Sequence, residues 1–264
     1  MFEFLKDVAE KLSGNKVWIE PSADPQQIAS FIKSVRPKPI KTPLIRLGGV
    51  ADGGYLLPND LDGIRACISP GVSTEVSFDR AMADRGIDVF MADASVAGPP
   101  AIDARFHFLK KFVDVHENED NIRLDSLCGL VPAGLSGDRL LQMDIEGAEY
   151  RVLLDASDET LKSFRIMTIE FHHLSRLYGR FSFRIIRAAF QKLLRFHEIV
   201  HVHPNNHAKP VRRGELEIPS VMEFTFYRKD RFVSDADAKL SFPHPLDRDN
   251  VASKPSVVLP KCWQ

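Results

Sequence analysis

From residue 66 onward the chain alternates short apolar runs with helical patterns, and the alternation ends on two apolar runs with no helix between them. Residues 66–69, 88–93, 105–115, 139–144, 165–171, 198–203 and 218–228 read as strands. Helical patterns fill 75–84, 148–154 and 183–196, the last with Ile186, Phe190, Leu193 and Leu194 on one face. Strands joined through helices run parallel, and the helices then cover both faces of the sheet. The closing pair of strands predicts one antiparallel strand at an edge. The expectation is an α/β domain built on a mostly parallel sheet.

Residues 1–42 read as a helical extension and linker. Helical spacing is present over 1–11 and over 24–35, where Ile28, Phe31, Ile32 and Val35 share a face, and Arg36-Pro-Lys-Pro-Ile-Lys-Thr-Pro then stops any helix. Residues 43–232 form the expected catalytic domain, and 233–264 a proline-rich irregular tail. Three scattered cysteines, Cys67, Cys128 and Cys262, suit neither a disulfide framework nor a four-thiolate zinc site, so a reducing compartment is expected. No stretch approaches the roughly 20 apolar residues of a membrane span, and the start of the chain lacks a signal-peptide pattern, which points to the cytoplasm. A formal charge of −1 gives no global field favouring nucleic acid, so neither nucleic acid nor a membrane is expected as a partner.

In an open parallel sheet, ligands bind beyond the carboxyl ends of the strands. After the first strand comes Ser69-Pro-Gly-Val-Ser-Thr-Glu75, whose Gly71, Val72, Ser73 and Glu75 can bring backbone close to a ligand. After the second comes Asp93, suited to accept hydrogen bonds from two ribose hydroxyls. The fourth strand runs into Gln142-Met-Asp-Ile-Glu-Gly-Ala-Glu149, where Asp144 and Glu146 alternate onto one side while Glu149 suits a helix N-terminus. Glu170 and His172 end the fifth strand. His201 and His203 share a face in Val200-His-Val-His-Pro-Asn-Asn206, and imidazole is the usual general base near neutral pH.

These stretches resemble the FkbM family of S-adenosylmethionine-dependent methyltransferases. The resemblance rests on Leu140-Leu-Gln-Met-Asp-Ile-Glu-Gly-Ala-Glu149, on Ile166-Met-Thr-Ile-Glu170, and on the loop 69–79 with Asp93. Asp52-Gly-Gly-Tyr55 and His201-Val-His-Pro-Asn-Asn206 are similar to segments of a branch associated with glycan modification. The resemblance implies a Rossmann-like class I methyltransferase fold with seven strands and S-adenosylmethionine as methyl donor. It implies as acceptor a hydroxyl of a sugar, glycan precursor or related small molecule. Donor contacts then fall to Gly71, Val72, Ser73, Glu75, Asp93 and Asp144, and catalysis to His203, His172 and Glu146. Acceptor contacts fall to Asp52, Tyr55, Asn205, Asn206 and Arg180, because the basic run from Arg176 to Arg195 would suit an anionic acceptor. Asp144, Glu170 and His172 could also hold Mg²⁺ or another divalent cation, and a homo-oligomer is admitted.

Two other functions fit parts of the pattern. One is a metal-dependent hydrolase using His201, His203 and Asp144; the other is a non-catalytic glycan- or nucleotide-binding module.

Overall fold

The computed structural model describes Lys6, residues 20–135 and residues 137–264. Apart from Lys6, the helix expected over 1–11 lies outside the described residues. Helix α1 (Pro25–Ser34) begins where the sequence signals it: Asp24 Oδ1 accepts a hydrogen bond from the Gln26 amide at 2.8 Å, and Pro25 occupies the first turn. Its Ile28, Phe31 and Ile32 are buried in the main core.

A hairpin of β1 (Leu44–Gly48) and β2 (Gly54–Pro58) precedes β3 (Ile64–Pro70), α2 (Ser77–Ala83), β4 (Asp88–Ala92) and β5 (Phe106–Leu109). The apolar run expected as one strand to residue 115 breaks after Leu109. Its second half becomes the short β6 (Phe112–Val113), which pairs only with β7 (Asn121–Ile122). Then come α3 (Leu124–Gly129), β8 (Asp138–Met143), α4 (Glu149–Asp155), α5 (Asp158–Ser163), β9 (Phe164–Phe171), α6 (Arg180–Leu193) and β10 (His197–Pro204). A small hairpin of β11 (Val211–Arg213) and β12 (Leu216–Ile218) leads into β13 (Met222–Arg228).

The main sheet has seven strands in the order β10-β13-β9-β8-β3-β4-β5. All are parallel except β13, which pairs antiparallel with both β9 and β10 and so stands one place in from the edge. Slotted there, β13 has its backbone groups paired on both sides. This is the seven-stranded, mostly parallel sheet that the family resemblance implies.

Alternation along the strands sends side chains into two cores. Ile68, Leu141, Met167, Ile169, Phe171, Phe224 and Phe226 pack with α1, α4 and α6, while Cys67, Leu140, Ile166 and Tyr227 pack with α2 and the β1–β2 hairpin. The first core centres on Phe190, whose ring lies 4.5 Å from Phe171 and 5.1 Å from Phe224. The tail is irregular yet anchored, with Trp263 1% exposed in that core. Among the described residues no helix is long and apolar enough to cross a membrane.

Candidate active site

The strand order reverses between β3 and β8, and the chain leaves both strands at the same end of the sheet. Gly71, just after β3, has φ +87°, and a Cβ there would stand 1.6 Å from the carbonyl oxygen of Asp144, just after β8. Only glycine fits so close an approach. The residues other than glycine with positive φ among the described residues are Ser73, Glu146 and His173, one in each loop after β3, β8 and β9. Conformations of this sort cost about 1–3 kcal/mol each and persist where surrounding structure enforces them.

Two small cavities meet at Gly71. One, of about 210 Å³, is lined by Asp93, Phe112, Val113, Asp114 and Ile145; the other, of about 140 Å³, by Asp52, Tyr55, Ser73, Glu75, Asp144 and Glu146. Asp93 Oδ2 accepts from the Ser73 amide at 2.8 Å and Oδ1 from the Ser95 amide at 2.7 Å. Burial alone would raise the Asp93 pKa, but these hydrogen bonds outweigh it and hold the carboxyl below its ordinary value. Asp93 is therefore ionised, and each oxygen keeps acceptor capacity. A larger cavity, about 920 Å³, lies between the β11–β12 hairpin and the tail, where Lys209, Arg212 and Lys261 line it. It takes in none of the clustered acids described below, so size does not mark the site here.

His172 stands at the centre of four carboxylates. Its Nδ1 is 3.1 Å from Glu149 Oε1, and its Nε2 is 3.5 Å from Glu170, 3.5 Å from Glu146 and 3.8 Å from Asp144. Glu149 is fully buried, and its Oε1 also accepts from the Ile145 and Gly147 amides. Its part thus exceeds that of a helix-terminal acid: it ties the loop after β8 to the His172 ring. Burial works against a charged imidazole, but Glu149 and the neighbouring acids prevail and raise the His172 pKa. Burial first, with Glu146 and Glu149 adding, pushes Asp144 up to about 7 despite His172. Burial and then Asp144 and Glu223 push Glu170 well above the carboxylate range.

Asp144, Glu149 and His172 each offer a ligand atom within 4.8 Å of the others. They fit a divalent ion poorly, because Glu149 Oε1 is already engaged by two amides and by His172 Nδ1. The His172 imidazole, whose pKa these acids raise, can supply positive charge among them.

The second cluster lies across β10, β13 and β9. His203 is the register partner of Glu223, and Glu223 that of Glu170, so the three side chains stand in a row on one face. Asn205 Nδ2 donates to both Glu170 oxygens, at 3.1 and 3.3 Å. The tail supplies the remaining members. Asp247 accepts from His201 Nε2 at 2.9 Å and lies 3.4 Å from His203 Nδ1. Asn250 Nδ2 donates to Glu223 Oε1 at 2.8 Å and to Asp52 Oδ1 at 3.3 Å. Burial would lower the His203 pKa, yet Asp247 and Glu223 raise it above its ordinary value. The same two histidines overcome burial and hold Asp247 well below the usual carboxylate range.

Of the residues expected from sequence, Gly71, Val72, Ser73, Glu75, Asp52, Tyr55, Asp144 and Glu146 line one cavity and Asp93 the adjoining one. Tyr55 is buried and its hydroxyl is pushed well above its ordinary pKa, first by burial and then by Asp144, so it stays neutral. Two expectations part from the cleft. Asn206 is a clasp on the tail: its Nδ2 donates to the Val251 carbonyl at 2.9 Å and its Oδ1 accepts from the Val251 amide at 2.8 Å. Arg180 lines a separate depression with Glu20, Phe181 and Arg184, while Lys192 and Arg195 of the same basic run cap α4 and pair with Asp158. His201 and His203 turn to Asp247 rather than Asp144, so the metal set of the hydrolase alternative is not assembled among the described residues.

Glu223, Asp247 and Asn250 were not expected. A signal for Glu223 exists, since it is a carboxylate inside the apolar strand Met222-Glu-Phe-Thr-Phe-Tyr227. Asp247 and Asn250 lie in a tail without periodicity, which offers none.

A profile described as the Methyltransferase FkbM domain matches residues 56–196, just over half of the 264-residue chain. No curated protein matches it. The fold is similar to that of a fibrillarin pre-rRNA processing protein from Methanococcus jannaschii, at 11% identity and TM-score 0.39, over 72% of this chain and 83% of that one. It is also similar to the 23S rRNA methyltransferase ErmE, at 11% identity and TM-score 0.32, over 82% of this chain and 72% of that one. A putative RNA methyltransferase from Pyrococcus horikoshii matches at 14% identity and TM-score 0.31, over 78% and 99%.

Proposed function

The chain belongs to the FkbM methyltransferase family, and from that premise we propose that it moves a methyl group from S-adenosylmethionine to a hydroxyl of a sugar, glycan precursor or related small molecule. The observation that carries this reading is the pairing of Gly71 with Asp93: a backbone that only glycine can follow, beside a buried, ionised carboxylate after the next strand. Asp93 would accept hydrogen bonds from the ribose hydroxyls, and Phe112, Val113 and Ile145 would flank the purine. The donor supplies an electrophilic methyl on a cationic sulfur. Asp52, Asp144 and Glu146 line the adjoining cavity and give it the negative potential that suits a cation.

Methylation of a hydroxyl forms a carbon–oxygen bond in line with the carbon–sulfur bond that breaks, and the hydroxyl proton must leave. His203 is the base best placed to take it, because its Nε2 is buried without a hydrogen-bond partner while Asp247 stands 3.4 Å from its Nδ1. Tyr55 keeps its proton at neutral pH, and burial beside Asp144 and Glu223 makes Glu170 hold a proton more readily than an ordinary carboxylate. His172, bound on Nδ1 by Glu149, positions Asp144, Glu146 and Glu170 and offsets their charge. The acidic lining also opposes a phosphate backbone, which favours a small acceptor over nucleic acid.

Calorimetry with S-adenosylmethionine and S-adenosylhomocysteine tests the donor site, and absence of binding to either would reject this reading. Turnover should survive EDTA; inactivation restored by Mg²⁺ would support the metal role expected of Asp144, Glu170 and His172.

A further inference from the structure

Asn250 Nδ2 faces the carboxylates of Glu223 and Asp52, which can only accept. That fixes the amide orientation and turns Oδ1 away from both acids. Asn250 is 8% exposed, and its Oδ1 is buried with no hydrogen-bond partner. His203, also flanking Glu223, is 6% exposed; its Nδ1 faces Asp247 at 3.4 Å, and its Nε2 is buried with no hydrogen-bond partner. Buried polar atoms are almost always paired, and an unpaired one costs about 1–3 kcal/mol. Two such side chains on either side of one buried glutamate, next to the Asp52 rim of the donor cavity, describe a socket that a ligand completes.

We propose that Asn250, Glu223 and His203 form the acceptor socket, and that it takes a pair of hydroxyls on an uncharged ring while refusing anionic groups. The inference rests on the methyl-transfer reading above. Asn250 Oδ1 has only lone pairs to offer, so it calls for a donor such as a hydroxyl; His203 receives the second hydroxyl, the one to be methylated. Asp52, Asp144, Glu146 and Glu223 belong to the linked acids of this region, with Arg46 as the cation that the field of Glu223 and Asp247 reaches. A phosphate or carboxylate placed there would meet like charge in a water-poor setting. The anionic acceptor expected from the basic run is thereby set aside for this socket, since Arg180 and Arg184 line a different depression. The tail is what makes the socket, because Asn250 reaches it through the Asn206 clasp on Val251.

The test is saturation-transfer NMR on the full chain loaded with S-adenosylhomocysteine. The probes are methyl glycosides of glucose, galactose and mannose, beside the methyl glycosides of glucuronic and galacturonic acid. At least one neutral glycoside should receive transfer about tenfold stronger than its uronate counterpart. Asn250→Ala and Asn250→Asp should each weaken that signal about tenfold or more, with S-adenosylhomocysteine affinity unchanged in calorimetry. That retained affinity also certifies that the variants fold. Binding of S-adenosylhomocysteine with no transfer to any neutral glycoside would overturn the socket alone. So would a uronate that matches or exceeds its neutral counterpart, or an Asn250→Ala variant with full transfer. Failure to bind S-adenosylhomocysteine would reject the donor reading and this inference with it.

Discussion

The α-carbon of Gly71 faces the carbonyl oxygen of Asp144 so closely that a Cβ would stand 1.6 Å from it. The contact couples the loops after β3 and β8, which carry most of the donor cavity's lining. Gly71→Ala should therefore force the two loops apart. Positive φ adds about 1–3 kcal/mol to the steric cost, and a loss of that size lowers Tm by several degrees in a chain of this length. Thermal unfolding and S-adenosylhomocysteine titration should both register it; unchanged affinity would show that the contact is dispensable.

Asp93 presents the opposite case, because its removal opens little volume. Asp93→Ala should leave the fold in place and weaken the donor by about 1.5–3 kcal/mol, roughly 10- to 150-fold, as expected when a charged hydrogen-bonding partner is lost. Calorimetry measures this directly, and an unaltered Kd would move the ribose elsewhere.

The pH profile should carry the signature of His203. A base whose pKa is raised above 6.5 is protonated below that value and inactive there, so kcat/KM at saturating donor should climb with pH through a midpoint above 6.5. Asp247→Asn removes the carboxylate that helps hold the proton on. Its rising limb should move to lower pH, and a limb that stays put would assign the titration to another group.

Acid stability should depend on His197, a residue far from the chemistry. It is fully buried at the start of β10, its Nε2 donates to the Phe164 carbonyl at 2.8 Å, and burial lowers its pKa to about 4. The unfolded chain, with an ordinary imidazole near 6.5, binds more protons than the native state between those values. Stability should thus fall as pH drops from about 6.5 toward 4, by up to about 3 kcal/mol. His197→Gln, which can keep the hydrogen bond without titrating, should flatten Tm over that window; an equal slope in both proteins would clear His197 of the effect.

The sheet was legible because its strands are written as apolar runs separated by helical patterns, as in Ile166-Met-Thr-Ile-Glu170 and Arg139-Leu-Leu-Gln-Met143. Which edge β13 joins is set by pairing between strands remote in sequence, and no local pattern carries that. The cleft at the strand ends could be read from Gly71 and Asp93, which the structure places against two adjoining cavities. The role of Glu149 could not, because its partners come from its own loop and from His172, more than 20 residues on. Asn206 looked like a binding residue in a polar loop until the tail arrived to take its amide. Side chains in irregular chain announce no direction, so Asp247 and Asn250 become visible only when the tail is traced across β10 and β13.

The path of the tail has a consequence for the order in which the protein is made. Asp247 and Asn250 lie beside the site, while Trp263 is sealed in the core with its indole donating to the Glu217 carbonyl at 3.1 Å, and the Cys262 carbonyl is gripped by Arg36. Every residue assigned to the donor is translated long before these. On the function proposed above, a nascent chain can close its donor cleft while its acceptor side is still unfinished, and Asp247 comes to stand beside His203 only once the tail has left the ribosome. On that reading, competence to bind the donor comes earlier in the life of the molecule than competence to use it.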